Sequence, residues 1–154
     1  MNKFKRTEIL IGKQNFQKIQ KTRILILGLG GVGGTALEAL ARIGFSDFVL
    51  ADFDKIEETN LNRQILTLEN NIGKSKVEIA KQRVLAINPT AKVEIFEGFV
   101  DEKNIENFLP VDIVVDAIDS VRAKVKILTY LYHKNIKVVS SMGAGFRKDP
   151  RFIK

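Results

Sequence analysis

The chain has 154 residues, of which 45% are apolar and 28% are charged, and its formal net charge is +7. This composition is typical of one folded domain and excludes a disordered segment. The sequence contains no cysteine, which excludes disulfides, thiolate zinc sites and a cysteine nucleophile within it. No apolar run reaches the roughly 20 residues of a membrane span, and no apolar stretch follows the lysine-rich N-terminus, so we expect no signal peptide and a cytoplasmic protein.

The charges are unevenly distributed along the sequence. Residues 1–27 and 120–154 are rich in lysine and arginine, whereas residues 28–119 contain sixteen acidic and nine basic side chains. Lysine-rich solvated surfaces explain this distribution, and so does a basic surface for a polyanion such as nucleic acid. Charge alone does not distinguish these two interpretations.

Apolar runs alternate with helical patterns after a basic amphipathic segment, residues 1–22, in which we expect a helix over 15–21. Strands are predicted at 23–27, 47–52, 92–97, 112–116 and 136–140. Helices are predicted at 31–43, 74–87, 104–109 and 121–133, the first with an apolar face formed by Val32, Ala36, Ala39, Leu40 and Ile43. Strands separated by helices pair in parallel through right-handed crossovers. Residues 23–154 are therefore predicted to form an α/β domain with a doubly wound, mostly parallel, Rossmann-like sheet and helices on both faces.

The sequence ends four residues after Pro150. This last segment is typical of a connection to further structure, so we expect the domain to be incomplete at its C-terminus.

The first predicted strand leads into a glycine-rich loop that matches G-x-G-x-x-G through Gly28, Gly30 and Gly33. Glycines let the backbone approach a phosphate, and the N-terminus of the following helix supplies N–H donors. Asp52 ends the second strand, where a carboxylate can accept the hydroxyl groups of a ribose. These features predict a nucleotide site, and they fit an NAD-dependent dehydrogenase as well as an ATP-dependent enzyme.

Two basic residues favour a nucleoside triphosphate. Arg63 and Lys76 follow the second strand, and the β and γ phosphates of a triphosphate carry charge that such side chains neutralise. Asp119 follows the fourth strand and can hold Mg²⁺ against phosphates, because this ion prefers oxygen ligands. A helix N-cap is the alternative role for Asp119.

In combination, these residues resemble the adenylating enzymes related to ubiquitin-activating enzyme and to the thiamin and molybdopterin sulfur-carrier activators, the ThiF/MoeB/HesA family. The matching motifs are GxGGxG at 28–33, DFD at 52–54, NxxRQ at 60–64, GxxK at 73–76 and the aspartate at 119. The resemblance implies that Asp52 binds the ribose and that Asn60, Arg63 and Lys76 bind the triphosphate. It also implies that Asp119 coordinates Mg²⁺.

The same resemblance implies a complete set of site residues. The nucleotide-binding residues are Gly28, Gly30, Gly31, Gly33, Asp52, Asp54, Asn60, Arg63, Gln64, Lys76, Asp119 and Ser120, and the catalytic residues are Arg6, Arg63, Lys76 and Asp119. The active unit is expected to be a homodimer in which Arg6 of one subunit completes the site of the other.

Three further motifs look like those of the tRNA threonylcarbamoyladenosine dehydratases: RTExLxG at 6–12, DAIDSVRxK at 116–124 and SSMGAG with a later DP at 140–150. Those enzymes use ATP to activate a carboxylate on a modified adenosine, which then cyclises. The resemblance implies ATP and Mg²⁺ as cofactors, tRNA as a partner, and a sulfur-carrier or cysteine-desulfurase-type protein as another. Adenylation of the C-terminal glycine of a ubiquitin-like sulfur carrier, an NAD-dependent dehydrogenase and a non-catalytic ATP-binding fragment stay open as alternatives.

Overall fold

The computed structural model of the chain describes residues 3–143. Within them, one five-stranded sheet has the order β3-β2-β1-β4-β5, and every neighbouring pair is parallel. The strands are β1 (Arg23–Leu27), β2 (Asp47–Asp52), β3 (Lys92–Glu97), β4 (Ile113–Asp116) and β5 (Lys137–Ser140). The prediction of an α/β, doubly wound parallel sheet is confirmed.

Within residues 3–143, five α-helices accompany this sheet. They are α1 (Lys5–Ile11), α2 (Lys13–Lys21), α3 (Gly31–Ile43), α4 (Lys76–Ile87) and α5 (Val121–His133). The helix predicted at 104–109 is a shorter 3₁₀ turn, Ile105–Phe108. Helix α4 begins two residues later than predicted, because the Lys74 carbonyl accepts a hydrogen bond from Ile56 and Ser75 pairs with Lys55 across the loop after β2.

The alternation of side chains along β1 divides the core between the two faces of the sheet. Ile24 and Ile26 belong to a buried cluster with residues of α3 and α4, whereas Leu25 and Leu27 belong to a second cluster with residues of α5. Successive residues of a strand point to opposite faces, so a strand buried on both sides is apolar throughout. This arrangement explains the uninterrupted apolar run of β1.

The order of the strands places a crevice between β1 and β4. From β1 the chain moves to β2 and β3 on one side, and it then returns to β4 and β5 on the other side. The connections after β1 and β4 therefore leave the carboxyl ends of adjacent strands in opposite directions. Ligands of such sheets bind in the crevice that this reversal creates.

The apolar face predicted for α3 is only partly correct, because Leu40 packs against the core but other members of the predicted face do not. Val32 is 52% exposed and Ile43 is 43% exposed, whereas the buried residues of α3 are Gly33, Gly34, Leu37, Glu38 and Ala41. The glycines decide which face packs: a Cβ on Gly33 would lie 1.8 Å from the carbonyl oxygen of Gly28, and one on Gly34 would lie 3.3 Å from Leu66. The two glycines carry no side chain, so a pattern based on side-chain hydrophobicity misses the part of the buried face that they form.

The N-terminal segment contains two helices where the sequence pattern predicts one. Helices α1 and α2 pack together through the buried rings of Phe4 and Phe16, whose centroids are 6.2 Å apart. Phe16 also contacts Gly44, and the hydroxyl of Ser46 donates to the Gln20 carbonyl. Because residues 44 and 46 precede β2, this segment lies at the amino edge of the sheet, opposite the crevice. No helix within residues 3–143 is long and apolar enough to cross a membrane.

We expect Glu38 to contribute pH-dependent stability. It is 8% exposed and accepts hydrogen bonds from Arg83 at 2.7 and 2.8 Å and from Arg42 at 2.6 Å. The hydrogen bonds from Arg83 are the main reason that the pKa of Glu38 is lowered. Glu38→Gln should lower the free energy of unfolding at pH 7 by about 1.5 kcal/mol, the lower end for hydrogen bonds to charged groups, since both arginines are partly solvated.

A carboxyl group whose pKa is lower in the folded state stabilises the fold above its unfolded pKa of about 4.3, and this stability is lost as the pH falls through the folded pKa. The difference between wild type and Glu38→Gln should therefore shrink when urea unfolding is measured below about pH 4. Glu78→Gln, at an exposed position of α4, serves as the control. An equal loss of stability for both variants at pH 7 would contradict this role of Glu38.

Candidate functional site

A cleft of about 630 Å³ lies at the carboxyl ends of the strands. It is lined by residues that follow all five strands, namely 28 and 30–32 after β1, 53–55 after β2, 98–100 after β3, 117–119 after β4 and 141–143 after β5. Leu27, Ala51 and Asp52 at the strand ends and residues 57, 60, 63, 64 and 76 complete the lining. The cleft therefore occupies the crevice that the strand order creates.

The glycine-rich loop forms the floor of this cleft between β1 and α3. Gly28 has φ of +85°, a conformation that L side chains rarely adopt, and Gly33 packs directly against its backbone. Helix α3 has no side-chain cap, and its first intrahelical hydrogen bond is the one that Gly34 donates to Gly30. The N–H groups of the first turn are thus available to an anion. Gly30 and Gly31 line the cleft, whereas Gly33 serves the tight packing beneath it.

Asp52 connects the glycine loop to the loop after β2. One carboxylate oxygen accepts from the Leu29 amide at 2.6 Å and the other accepts from the Asp54 amide at 2.8 Å, while the residue is 8% exposed. Each carboxylate oxygen has a second acceptor position. The rigidly held carboxylate at the cleft wall can therefore accept further hydrogen bonds from a ligand.

Lys76 brings a buried ammonium group to the cleft. Its residue is 5% exposed, and its Nζ lies 2.7 Å from a carboxylate oxygen of Asp54. The Lys76 amide also donates to the Asp54 carbonyl at 3.1 Å. Two contacts to one residue fix the start of α4 beside the loop after β2. A positive charge is thereby held in place in the cleft that the glycine loop also lines.

Asn60, Arg63 and Gln64 lie on the segment that connects β2 to α4, and all three line the cleft. The Asn60 side chain accepts from the Glu57 amide and closes the 3₁₀ turn Glu58–Asn60. Arg63 donates to the Thr59 carbonyl and to Asn62, and within residues 3–143 no carboxylate pairs with it. Its charge is therefore available for an anion in the cleft.

Asp119 and Ser120 have different positions in the loop after β4. Ser120 is the N-cap of α5 and accepts from the Ala123 amide at 3.5 Å, so the capping role considered for Asp119 belongs to its neighbour. Asp119 is exposed and lines the cleft, whereas Ser120 lies outside the lining. Among the residues described, no group of three or more His, Cys, Asp or Glu could hold a metal ion. One carboxylate does suit Mg²⁺ that is bound mainly through phosphates.

Arg6 lies apart from these residues. It is exposed on α1, at the amino edge of the sheet, and it does not line the cleft of its own chain. Only the first part of the motif at 140–150 falls within the described residues. Gly143 lines the cleft, whereas Gly145, Asp149 and Pro150 lie outside the described residues.

Two features of the site were missed by the sequence analysis. The rings of Phe53 and Phe99 lie together in the lining of the cleft, with centroids 5.7 Å apart, and both residues are at least half exposed. Beneath the loop after β4, Lys124 forms a buried ion pair with Asp116. Phe99 could have been found by examining the residues that follow β3, whereas no local pattern indicates that Lys124 is buried.

A model of the ThiF family matches residues 4–153 of the chain. The chain belongs to the ThiF family. It is 36% identical over 152 residues to the tRNA threonylcarbamoyladenosine dehydratase of Bacillus subtilis, and the match covers 97% of this chain and 60% of that protein. The crystal structure of Escherichia coli tRNA N6-threonylcarbamoyladenosine dehydratase, TcdA, in complex with ATP matches with a TM-score of 0.92 at 38% identity, covering 97% of this chain and 62% of that chain.

A molybdopterin-synthase adenylyltransferase of Haemophilus influenzae is also similar to this ThiF-family chain, at 33% identity over 134 residues, or 86% of this chain and 54% of that protein. The chain thus spans about 60% of the length of the dehydratases that it matches.

Proposed function

We propose that this ThiF-family chain is an ATP-dependent adenylating enzyme, or the nucleotide-binding part of one, and that its substrate is threonylcarbamoyladenosine in tRNA. The observation that carries the proposal is the meeting of the glycine loop, Asp52 and the buried ammonium of Lys76 in one cleft. The similarity to tRNA threonylcarbamoyladenosine dehydratases supports the choice of substrate.

ATP fits the chemistry of the cleft from end to end. The uncapped first turn of α3 and the charges of Arg63 and Lys76 suit the phosphates. The held carboxylate of Asp52 suits the ribose hydroxyls, and the exposed rings of Phe53 and Phe99 suit the flat base. Asp119 would hold Mg²⁺, which supplies further positive charge to the phosphate oxygens when it is bound.

In the proposed reaction, a carboxylate oxygen of the substrate attacks the α phosphorus of ATP, and pyrophosphate leaves. Lys76 and Arg63 stabilise the negative charge that develops on the phosphate oxygens, because both are positioned before the reaction begins. The chain contains no cysteine, so the activated acyl group is not transferred to a thiol of this chain. Cyclisation instead closes the ring within the modified nucleoside and releases AMP.

We also propose that the active unit is a cytoplasmic homodimer. Apolar side chains that a second copy could cover are exposed in the segment after Asn60, and they are Leu61, Ile65, Leu68 and Ile72. Val32 and Ile43 add to the exposed apolar surface on α3. In such a dimer Arg6, which does not line the cleft of its own chain, reaches the cleft of the other subunit.

The second candidate function is adenylation of the C-terminal glycine of a ubiquitin-like sulfur carrier. The similarity to a molybdopterin-synthase adenylyltransferase favours it, and a sulfur-carrier or cysteine-desulfurase-type protein would then be the partner. The two functions share the ATP chemistry and differ only in the molecule that presents the carboxylate. Membership of the ThiF family gives no support to the NAD-dependent dehydrogenase alternative.

Exchange of radiolabelled pyrophosphate into ATP tests the proposal, because exchange reports reversible adenylation of a carboxylate. We expect tRNA that carries threonylcarbamoyladenosine to stimulate exchange at least tenfold, and unmodified tRNA or a carrier protein to have no effect. As a control, Mg²⁺ and ATP at a hundredfold excess over Kd should raise the free energy of unfolding by about 2.7 kcal/mol, and the melting temperature should rise accordingly. NAD should change neither quantity. Stimulation by a carrier protein would favour the second function, and ATP binding without any exchange would favour a non-catalytic module.

Asp52→Ala should weaken ATP binding about tenfold or more. The variant removes an acceptor of charge-assisted hydrogen bonds, and such bonds contribute roughly 1.5–3 kcal/mol. Calorimetric titration with ATP measures the change. Asp47→Ala is the matched control, since Asp47 lies at the other end of β2 and pairs with Arg23. Equal ATP affinities for Asp52→Ala and wild type would show that the ribose binds elsewhere.

A further inference from the structure

A buried ion pair lies beneath the cleft, between β4 and α5. Lys124 is 3% exposed and Asp116 is fully buried, and the Lys124 Nζ lies 2.6 Å from a carboxylate oxygen of Asp116. The ammonium also donates to the Ser141 carbonyl at 2.9 Å, and the Ser140 hydroxyl donates to Asp116 at 2.6 Å. Every charge of this cluster is therefore paired within the protein.

The position of Lys124 is unfavourable for local structure. Lys124 is the fourth residue of α5, so its positive charge lies near the positive end of the helix dipole. Its burial also costs the free energy of hydration of the ammonium group. Replacing such a pair by apolar residues is often neutral or stabilising. A pair that helix formation and burial both disfavour is typical of a functional position.

The pair connects two loops that line the cleft. Through its second oxygen, Asp116 accepts from the Ile118 amide at 3.1 Å, and its carbonyl accepts from the Ser141 amide at 2.9 Å. Lys124 donates a hydrogen bond to the Ser141 carbonyl. Residues 117–119 and residues 141–143 are thus attached to the same buried charges, and both sets line the cleft.

The loop at 117–119 also contacts the glycine-rich loop. A Cβ on Gly28 would lie 2.8 Å from the Ala117 carbonyl oxygen, and the Ala117 amide donates to the Leu27 carbonyl at 2.9 Å. Asp119 is two residues further along the same loop. The position of Asp119 relative to the floor of the cleft therefore depends on the position of the loop at 117–119.

We propose that Lys124 is a positioning residue: through Asp116 and Ser141 it holds the loops at 117–119 and 141–143 in place, so that Asp119 faces the phosphates of ATP. This inference rests on the proposed function. It adds that the Mg²⁺-dependent part of the ATP affinity requires the Asp116–Lys124 pair, although neither side chain touches the nucleotide.

The test uses a double variant, Asp116→Asn with Lys124→Met, because Lys124→Met alone would leave an unpaired buried carboxylate that can prevent folding. The control is Glu38→Gln with Arg83→Met, which removes a different ion pair between α3 and α4. Calorimetry measures ATP affinity with and without Mg²⁺, and hydrogen exchange of the ligand-free proteins measures the protection of the Ile118 and Ser141 amides.

Without Mg²⁺, we expect the double variant to bind ATP with an affinity within twofold of that of wild type. The increase in ATP affinity that Mg²⁺ produces should be at least tenfold smaller in the double variant than in wild type. The two amides should exchange at least tenfold faster than in wild type, and the control variant should change neither quantity. Unchanged exchange and an unchanged Mg²⁺ effect in the double variant would overturn the inference, and so would equal losses in the control. Failure of wild type to bind ATP would instead overturn the proposed function, and the exchange rates would still decide whether the Asp116–Lys124 pair holds the loops.

Discussion

Lys76→Met is expected to lower the rate of adenylation by about 100-fold or more, since loss of one preorganised charge-stabilising donor costs roughly 2.7–4 kcal/mol in the transition state. The Lys76 ammonium is buried and is held 2.7 Å from Asp54, and Lys76 lines the same cleft as the glycine loop. Methionine keeps the length of the side chain and removes the charge. Because the Asp54 carboxylate is 46% exposed, water can solvate it in the variant, so folding should persist.

Single-turnover measurement at saturating ATP gives this rate directly, with ATP affinity determined in parallel. The rate should fall far more than the affinity does, because the charge to be stabilised grows as pyrophosphate leaves. Lys74→Met is the matched control, since Lys74 lies two residues earlier and is exposed. A rate within threefold of wild type for Lys76→Met would remove this residue from the catalytic set.

Arg6→Ala is expected to reduce turnover about 100-fold while changing ATP affinity little, if Arg6 acts across a dimer interface on the charge of the transition state. Arg6 is exposed at the amino edge of the sheet, and its own cleft lies at the opposite edge. An arginine that is merely solvated would have no effect. Lys13→Ala, at an exposed position of α2, is the control for loss of one basic side chain in the same segment.

Mixed dimers make this test decisive. A dimer of one Arg6→Ala subunit and one Asp119→Ala subunit contains one site with both substitutions and one site with neither. An equal mixture should therefore recover roughly one quarter of the wild-type activity, since half of the dimers are hybrids with one intact site of two. If subunit exchange is confirmed and no activity returns, Arg6 does not act on the partner's site.

The elements that the sequence predicted best are those with strong local signals. The bounds of β1, β2 and β3 and of α3 and α5 agree with the prediction, because glycines, prolines or a clear change of hydrophobic period mark their ends. The apolar face of α3 was predicted only in part, since its packing also depends on how closely the glycines at 33 and 34 approach other backbone and side-chain atoms.

The candidate site also contains residues that local sequence signals identify and residues that they do not. Motif spacing grouped Asp52, Lys76 and Arg63, and the structure places all three around one cleft; their roles toward ATP stay predictions. The ion pair of Lys124 could not be found in this way, because its partners lie on two other elements of the chain. Periodicity describes one element at a time, whereas such a pair depends on the packing of three.

The two outer strands of the sheet differ in their protection against unwanted association. Along β3, exposed Lys92, Glu94 and Glu97 place charges on the free edge, and charged side chains discourage pairing with another chain. Along β5, Val139 is 64% exposed and no acidic residue is present. Lys137 on β5 is also exposed, so β5 has one charged side chain where β3 has three, and within residues 3–143 the β5 edge is the less protected of the two against pairing with an additional strand.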